Sequence, residues 1–372
     1  MNAYDNAKIS VRQFTILIIL GVIGDSILIL PTIIASYAKQ DSWLSMLIAI
    51  FLGCMAGLFF ASLANKLQRN SLFSFTRQKL GRFLGGCFCL LFLFEFFICI
   101  LTLLSELSQF MTTQMMPETP VNAIMIVFLI VIIIAYRYGI EAFARMSELI
   151  FPIFILLLLF LIVFLMPQVD FTNLRPIAAK GMSVIWRGAL PAFVLAFTEM
   201  VIMLMLVSHV TGNTKLTKPI LIGFAFGGII MFFIVLLCVL VLGTNLMETK
   251  YYPTFVLAQK ITIGHFLERV EVIIAFLWII TVFYKSLLLF FSLTKGISQL
   301  FELKENHMLT IPIGMILLVG TVVGTPNVII YMDLLKRYSV SFDLSFCVLI
   351  PLLLLVLLLL VDRKKQSLSS SK

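Results

Sequence analysis

Residues 20–31 read LGVIGDSILILP, and residues 188–200 read GALPAFVLAFTEM. Each stretch lies inside a long apolar run and interrupts it with residues a membrane helix seldom carries. In the first, Gly21, Gly24 and Asp25 break the run and Pro31 follows. In the second, Pro191 is followed by Thr198 and Glu199 near the middle of the run. Hydrocarbon offers no partner for freed N–H and C=O groups, so such breaks are tolerated only where protein or a cavity satisfies the backbone. The places of the two breaks in the chain say more than either break alone.

Working outward from them, apolar runs give ten candidate spans, at 11–37, 43–65, 83–114, 119–137, 141–166, 183–208, 217–243, 267–296, 308–325 and 340–361. A spanning helix takes about 20 apolar residues, so ten of them leave only connecting loops. The longest gaps, 66–82, 167–182 and 244–266, are too short to fold alone, although Pro253 to Phe266 could form a short interfacial helix. The breaks fall in spans one and six of the ten. Interrupted segments at corresponding places in two halves point to an inverted-repeat transporter, LeuT being the general example. The expected fold is therefore all-α and integral to the membrane, with ten transmembrane helices in a LeuT-like five-plus-five inverted repeat and helices 1 and 6 broken. Residues 1–166 would form the first repeat and 167–372 the second, with a cytoplasmic C-terminal tail, all in one structural domain.

Composition agrees. Of the 372 residues, 61% are hydrophobic and 12% charged, and the mean hydropathy is +1.12. Soluble domains are about 45–50% apolar and about 25% charged, so an ordinary soluble enzyme, a disordered tail and a disulfide scaffold are excluded. The apolar residues run on unbroken rather than alternating, which excludes a closed outer-membrane barrel. The net charge of +9 sits in short loops, where it orients the chain, and does not imply nucleic acid. With the N-terminus inside, seventeen Lys and Arg fall on the inner side and nine on the outer, and the only one left over is Lys285, near the middle of a span. The positive-inside rule then places both termini in the cytoplasm. The opening MNAYDNAKIS is polar, and no small-residue cleavage site closes the first apolar run, so no cleaved signal peptide is expected. The six cysteines lie in or beside apolar runs and read as small buried hydrophobes.

Ionisable groups at bilayer depth cost about 2.5–3.5 kcal/mol each on insertion scales and mark cavities or partners. Asp25, Glu95, Glu106, Glu199 and Lys285 meet that description. Asp25, beside Ser26, has two readings: a cap for the restarting helix, or a contact to a ligand held by the unwound backbone of Gly21–Ser26. A small zwitterion there would set its carboxylate against the half-helix N-terminus. Glu199 is expected to pair with Lys285, in WIITVFYKSLLLFF (278–291), because an isolated buried charge is so unfavourable. A lysine at that place could substitute for a coupling cation, and a proton relay is the sharper alternative. Glu95 and Glu106 lie eleven residues apart, on one face of span three. With Thr102 and Ser105 they could line a polar path, although Glu106 reads more simply as reaching the outer interface.

GxxxG spacings at Gly53–Gly57, Gly223–Gly227 and Gly320–Gly324 read as close helix contact. His209, His265 and His307 have no Cys or carboxylate at metal-ligand spacing. The sequence carries no nucleophile–base constellation, phosphate loop or nucleotide fingerprint. Neither an enzyme, a cofactor nor a metal site is expected.

Three segments resemble the spore germination receptor B subunits. ISVRQFTILIILGVIGDSILILP (9–31) is similar to their opening, with Ile9, Ser10, Gln13 and Pro31 in place. YRYGIEAFARMSELIFP (136–152) resembles their loop between spans four and five, and NLRPIAAKGMSVIWRGALPAFVLAFTEM (173–200) their approach to span six. Where that family commonly shows Phe-Gly-Glu, this chain has Phe197, Thr198 and Glu199, a departure at the break itself. The resemblance implies kinship with amino acid–polyamine–organocation transporters and a place in the spore inner membrane. It also implies a nutrient germinant as ligand, usually an amino acid, and two partners, a membrane-anchored A subunit and a C-subunit lipoprotein.

Two functions fit. One is a germinant sensor that binds a small amino-acid-type ligand at mid-membrane between spans 1, 3, 6 and 8 and passes a conformational change to partner subunits. The other is a proton-coupled amino-acid permease. Both use the same expected ligand contacts, Gly21, Gly24, Asp25, Ser26, Thr102, Phe193, Phe197, Thr198 and Tyr284, with Glu199, Lys285 and Glu95 as ion-pair or coupling groups. Phe193, Phe197, Tyr284 and Leu287 suggest an apolar side-chain pocket.

Overall fold

Ser10 opens the first helix through a reciprocal pair of bonds. Its Oγ accepts from the Gln13 N–H at 3.1 Å, while Gln13 Oε1 accepts from the Ser10 N–H at 2.9 Å. This capping box begins α1 (Val11–Ile23). The computed structural model describes residues 7–67, 70–212, 215–261, 269–303, 306–325 and 327–370, with the backbone alone for 362–370. His265, the loop charges Arg69, Lys304 and Lys372, and the distal part of 253–266 from residue 262 lie outside the described residues.

Gly24 ends α1 at φ +36°, and the chain resumes as α2 (Ser26–Ala38). A short 3-10 turn, Lys39–Asp41, leads into α3 (Ser42–Lys66). There follow α4 (Leu72–Leu80), α5 (Arg82–Phe110), α6 (Val121–Tyr138) and α7 (Ile140–Leu165). The second half opens with α8 (Met182–Phe197), which tightens into a 3-10 stretch over Thr198–Met205. Next come α9 (Thr217–Leu237), α10 (Gly243–Thr249), α11 (Pro253–Gln259), α12 (Glu271–Leu300) and α13 (Thr310–Gly324). The chain closes with α14 (Val328–Asp343), a π-helical stretch at Leu344–Leu349, and α15 (Ile350–Ser370).

Among the described residues, nine helical stretches are long and apolar enough to cross a membrane, and Val11–Ile23 is a shorter apolar helix. One of the nine, Ser26–Lys66, would measure about 60 Å as a straight helix, twice the ~30 Å hydrocarbon thickness. It turns instead at Lys39, where φ is +49°. Its first arm, α2, continues α1 into one crossing and α3 makes another, so the crossings number ten. The tenth differs from the run expected at 340–361. Asn327 accepts from the Ile330 N–H at 2.9 Å and starts α14 at Val328. Asp333, Lys336 and Arg337 are therefore helical residues; their charges disguise the first turns as loop, although an Arg337–Asp333 pair at 2.7 Å runs along the helix.

The two halves repeat one another in their contacts. Helix α1 lies on α9 as α8 lies on α3, α1 lies on α7 as α8 lies on α14, and α5 lies on α13 as α12 lies on α6. This is the pairing that an inverted five-plus-five repeat requires. Small residues allow the close approaches. Gly53 of α3 faces the Phe197 ring of α8, while Gly223 and Gly227 of α9 face Ile18 and Val22 of α1. Gly320 likewise meets Leu101, but Gly324 has no such neighbour within 4 Å, so the third GxxxG spacing is only half a contact. The cysteines also divide: Cys89, Cys99, Cys238 and Cys347 are buried, Cys54 is half-buried, and Cys87 is exposed on the outer face of the bundle.

Candidate functional site

The break in span one positions the central cation. An added Cβ at Gly24 would stand 2.7 Å from Lys285 Cδ and 2.8 Å from the Gly21 carbonyl oxygen. Only a residue without a side chain lets the lysine stem pass the joint, and only glycine adopts φ +36° without strain. Thr281, one turn before Lys285 on α12, donates to the Gly24 carbonyl at 2.7 Å and shares that proton with the Trp278 carbonyl at 2.8 Å. A carbonyl freed by the break is thereby satisfied.

Lys285 then reaches both interrupted spans. Its Nζ lies 2.5 Å from Asp25 Oδ1 and 2.6 Å from Glu199 Oε2. The Lys285 side chain is 1% exposed, so no solvent screens it and the two carboxylates must balance its charge. Asp25 makes no capping bond to α2; its carboxylate serves the lysine instead, which corrects the helix-cap reading. Ser26 is buried and its hydroxyl has no partner among the described residues.

Beside this triad lies a cavity of about 230 Å³, between the joint, α5, the end of α8 and α14. Asp25, Thr102, Glu199, Tyr331, Tyr338 and Asp343 are among its lining. Asp25, Thr102 and Glu199 are thus brought together, with Gly24, Ser26 and Lys285 adjoining them. Glu95 stands behind, 1% exposed, accepting from Cys99 Sγ at 3.2 Å and Cys347 Sγ at 3.0 Å on the same oxygen. Its second oxygen has no partner.

Other expected contacts lie elsewhere. Gly21 faces the Met200 thioether, where spans one and six touch. The Phe197 ring stacks on Phe224, centroids 5.9 Å apart, and points toward α3 and α9. Thr198 turns its hydroxyl back onto the Val194 carbonyl at 2.8 Å. Phe193 is half-buried against the core, Leu287 is fully buried, and Tyr284 borders a separate apolar groove of about 600 Å³ with Phe128 and Ile280. Phe193, Phe197, Tyr284 and Leu287 are therefore not among the lining of the cavity beside the triad. Glu106 does not reach an interface either: it is fully buried and accepts from Tyr331 at 3.0 Å.

Sequence reasoning missed α14. Its Tyr331, Tyr338 and Asp343 complete the cavity, so the fourth wall comes from span ten rather than span eight. Asp343 falls inside the 340–361 run and met the criterion applied to the other intramembrane acids. Its place close to the start of that run disguised it as an end residue. Among the described residues, no group of three or more His, Cys, Asp or Glu is placed to hold a metal ion.

Ten crossings in two related halves, with an acid-bearing cavity at the interruptions of spans one and six, define the architecture of a secondary transporter. The solved structure of Mhp1, a nucleobase-cation-symport-1 family transporter in a closed conformation with bromovinylhydantoin bound, has this fold. It superposes at a TM-score of 0.67 over 93% of this chain and 79% of that one, at 13% identity. The chain belongs to the spore permease family of spore germination proteins, whose family model matches residues 8–329. It is 27% identical to spore germination protein KB of Bacillus subtilis over 370 residues, 97% of each chain. It is 24% identical to spore germination protein XB of Bacillus anthracis, over 79% of this chain and 82% of the relative.

Proposed function

We propose that this protein is the ligand-sensing membrane subunit of a spore germination receptor. It binds a small amino-acid-type nutrient at mid-membrane and hands the resulting change of shape to an A subunit and a C lipoprotein in the spore inner membrane, with both termini cytoplasmic. Residues 1–166 and 167–372 act as the two halves that move against one another. The observation that carries this reading is the single lysine held between Asp25 and Glu199 at the edge of the cavity.

A ligand beside those carboxylates alters the balance of the triad, and Lys285 is the link between the joint of span one and the tightened turn of span six. A ligand shifts a conformational equilibrium only as far as it prefers one state. A contact that joins both breaks gives it such a preference. The volume, below the ~300–1,000 Å³ usual for drug-sized ligands, suits a small nutrient.

The test pairs two measurements. Purified full-length protein is heated with a panel of nutrients, amino acids first, and spores lacking this gene are screened with the same panel. One nutrient should raise the unfolding midpoint with concentration, and the mutant spores should lose their response to it. A panel that neither stabilises the protein nor distinguishes the spores overturns the sensor. The buried acids Glu199 and Glu95 favour a second reading, a proton-coupled amino-acid permease. Sustained accumulation of substrate by proteoliposomes would establish that reading over a pure sensor.

A further inference from the structure

The three carboxylates in the cavity wall are not equivalent. Asp25 and Glu199 are matched by Lys285. Asp343 is 5% exposed and lines the cavity, and among the described residues it has no hydrogen-bond or ion-pair partner. An unmatched buried carboxylate is among the costliest groups a protein can hold. The described lining contains no Lys, Arg or His, and the lysine behind it is already engaged.

The surroundings of Asp343 also have a definite chemistry. Tyr331, Tyr338 and Phe342 line the same cavity from the same helix, α14, and aromatic rings beside a carboxylate attract ammonium groups. A ligand carboxylate, by contrast, finds three acids in the wall and no cation among them. Glu95 and Glu106 also have no cation among the described residues, but neither lines the cavity: Glu95 is bonded by Cys99 and Glu106 by Tyr331, and those two residues form the wall.

We propose that Asp343 anchors the ammonium group of the ligand, and that this cavity selects small primary ammonium compounds with no requirement for a carboxylate. The assignment rests on the ligand-sensing role proposed above. It makes span ten, through α14, the element that registers occupancy, because the charge it satisfies is on that helix.

The test uses purified full-length protein in nanodiscs and three sets of probes. The first is glycinamide, alaninamide, leucinamide and phenylalaninamide; the second is their N-acetyl derivatives; the third is the parent amino acids with the matching acids that lack an amine. At least one amide should stabilise the wild type in a saturable way, its acetylated form should lose the effect at tenfold higher concentration, and the amine-free acids should have none. Asp343→Asn should weaken the active amide at least tenfold, and Asp343→Glu, which keeps the charge, should weaken it less. Undiminished binding by Asp343→Asn, or equal binding of acetylated and free amines by the wild type, overturns the anchor. The second comparison needs no variant, so it tests the ammonium selectivity even if Asp343→Asn does not fold, and Asp343→Glu then tests the anchor. Parent amino acids that bind while every amide fails would overturn the ammonium selectivity and leave the sensor standing. Failure of every probe and every nutrient would remove the sensor as well.

Discussion

Spans one and six occupy equivalent places in the two halves, yet the chain interrupts them by different means. At Gly24 the backbone turns to φ +36° and helical bonding stops, to resume at Ser26. At Thr198 φ stays at −74°, and the helix tightens into 3-10 turns without parting. The first is a joint and the second an overwound rod. Glycine alone makes the first possible, since it accepts positive φ at no steric cost. Threonine holds the second together, its hydroxyl bonding one turn back to Val194. The two meet through Lys285, which bonds Asp25 beside the joint and Glu199 on the rod.

Cutting that contact should have the largest effect. Lys285→Met leaves Asp25 and Glu199 facing one another without their cation, and breaking a buried pair from one side costs about 3–5 kcal/mol. The expected outcome is a much lower unfolding midpoint and loss of nutrient response in spores. Intact expression and response would mean that the two breaks are not coupled through this side chain. Gly24→Ala comes next, at about 2–4 kcal/mol, from the positive φ and from overpacking against the Lys285 stem and the Gly21 carbonyl. Chemical denaturation in detergent would measure it.

Thr198→Gly should have the smallest effect, about 1 kcal/mol from helix propensity and the lost buried methyl together, while making span six more like span one. Amide exchange over residues 198–205 should quicken, with little change in global stability. If Thr198→Gly and Gly24→Ala cost the same, the distinction between joint and rod is wrong.

Much of this architecture could be read in the chain. The ten crossings follow from apolar runs, and the repeat follows from breaks at corresponding places, because hydrocarbon leaves a polar backbone so few options. Lys285 stood out as the cation left over near the middle of a span, and Glu199 as its partner, since an isolated buried charge is so unfavourable. The cavity wall was less legible. Phe197 and Tyr284 neighbour Glu199 and Lys285 in sequence, but a helix turns about 100° per residue, and their rings face other helices. Tyr331 and Asp343 are far from both breaks in sequence, and charges at Asp333, Lys336 and Arg337 hid the start of their helix.

The sequence by itself determined that this is a membrane protein of ten crossings, interrupted in spans one and six, with a mid-span cation among several acids. Those features are set by the cost of placing each group in hydrocarbon, which can be summed residue by residue. Only the tertiary structure decided which acids share Lys285, which stand alone, and that α14 closes the cavity. Those outcomes depend on the rotation and contact of helices far apart in the chain, and local preferences carry no information about either.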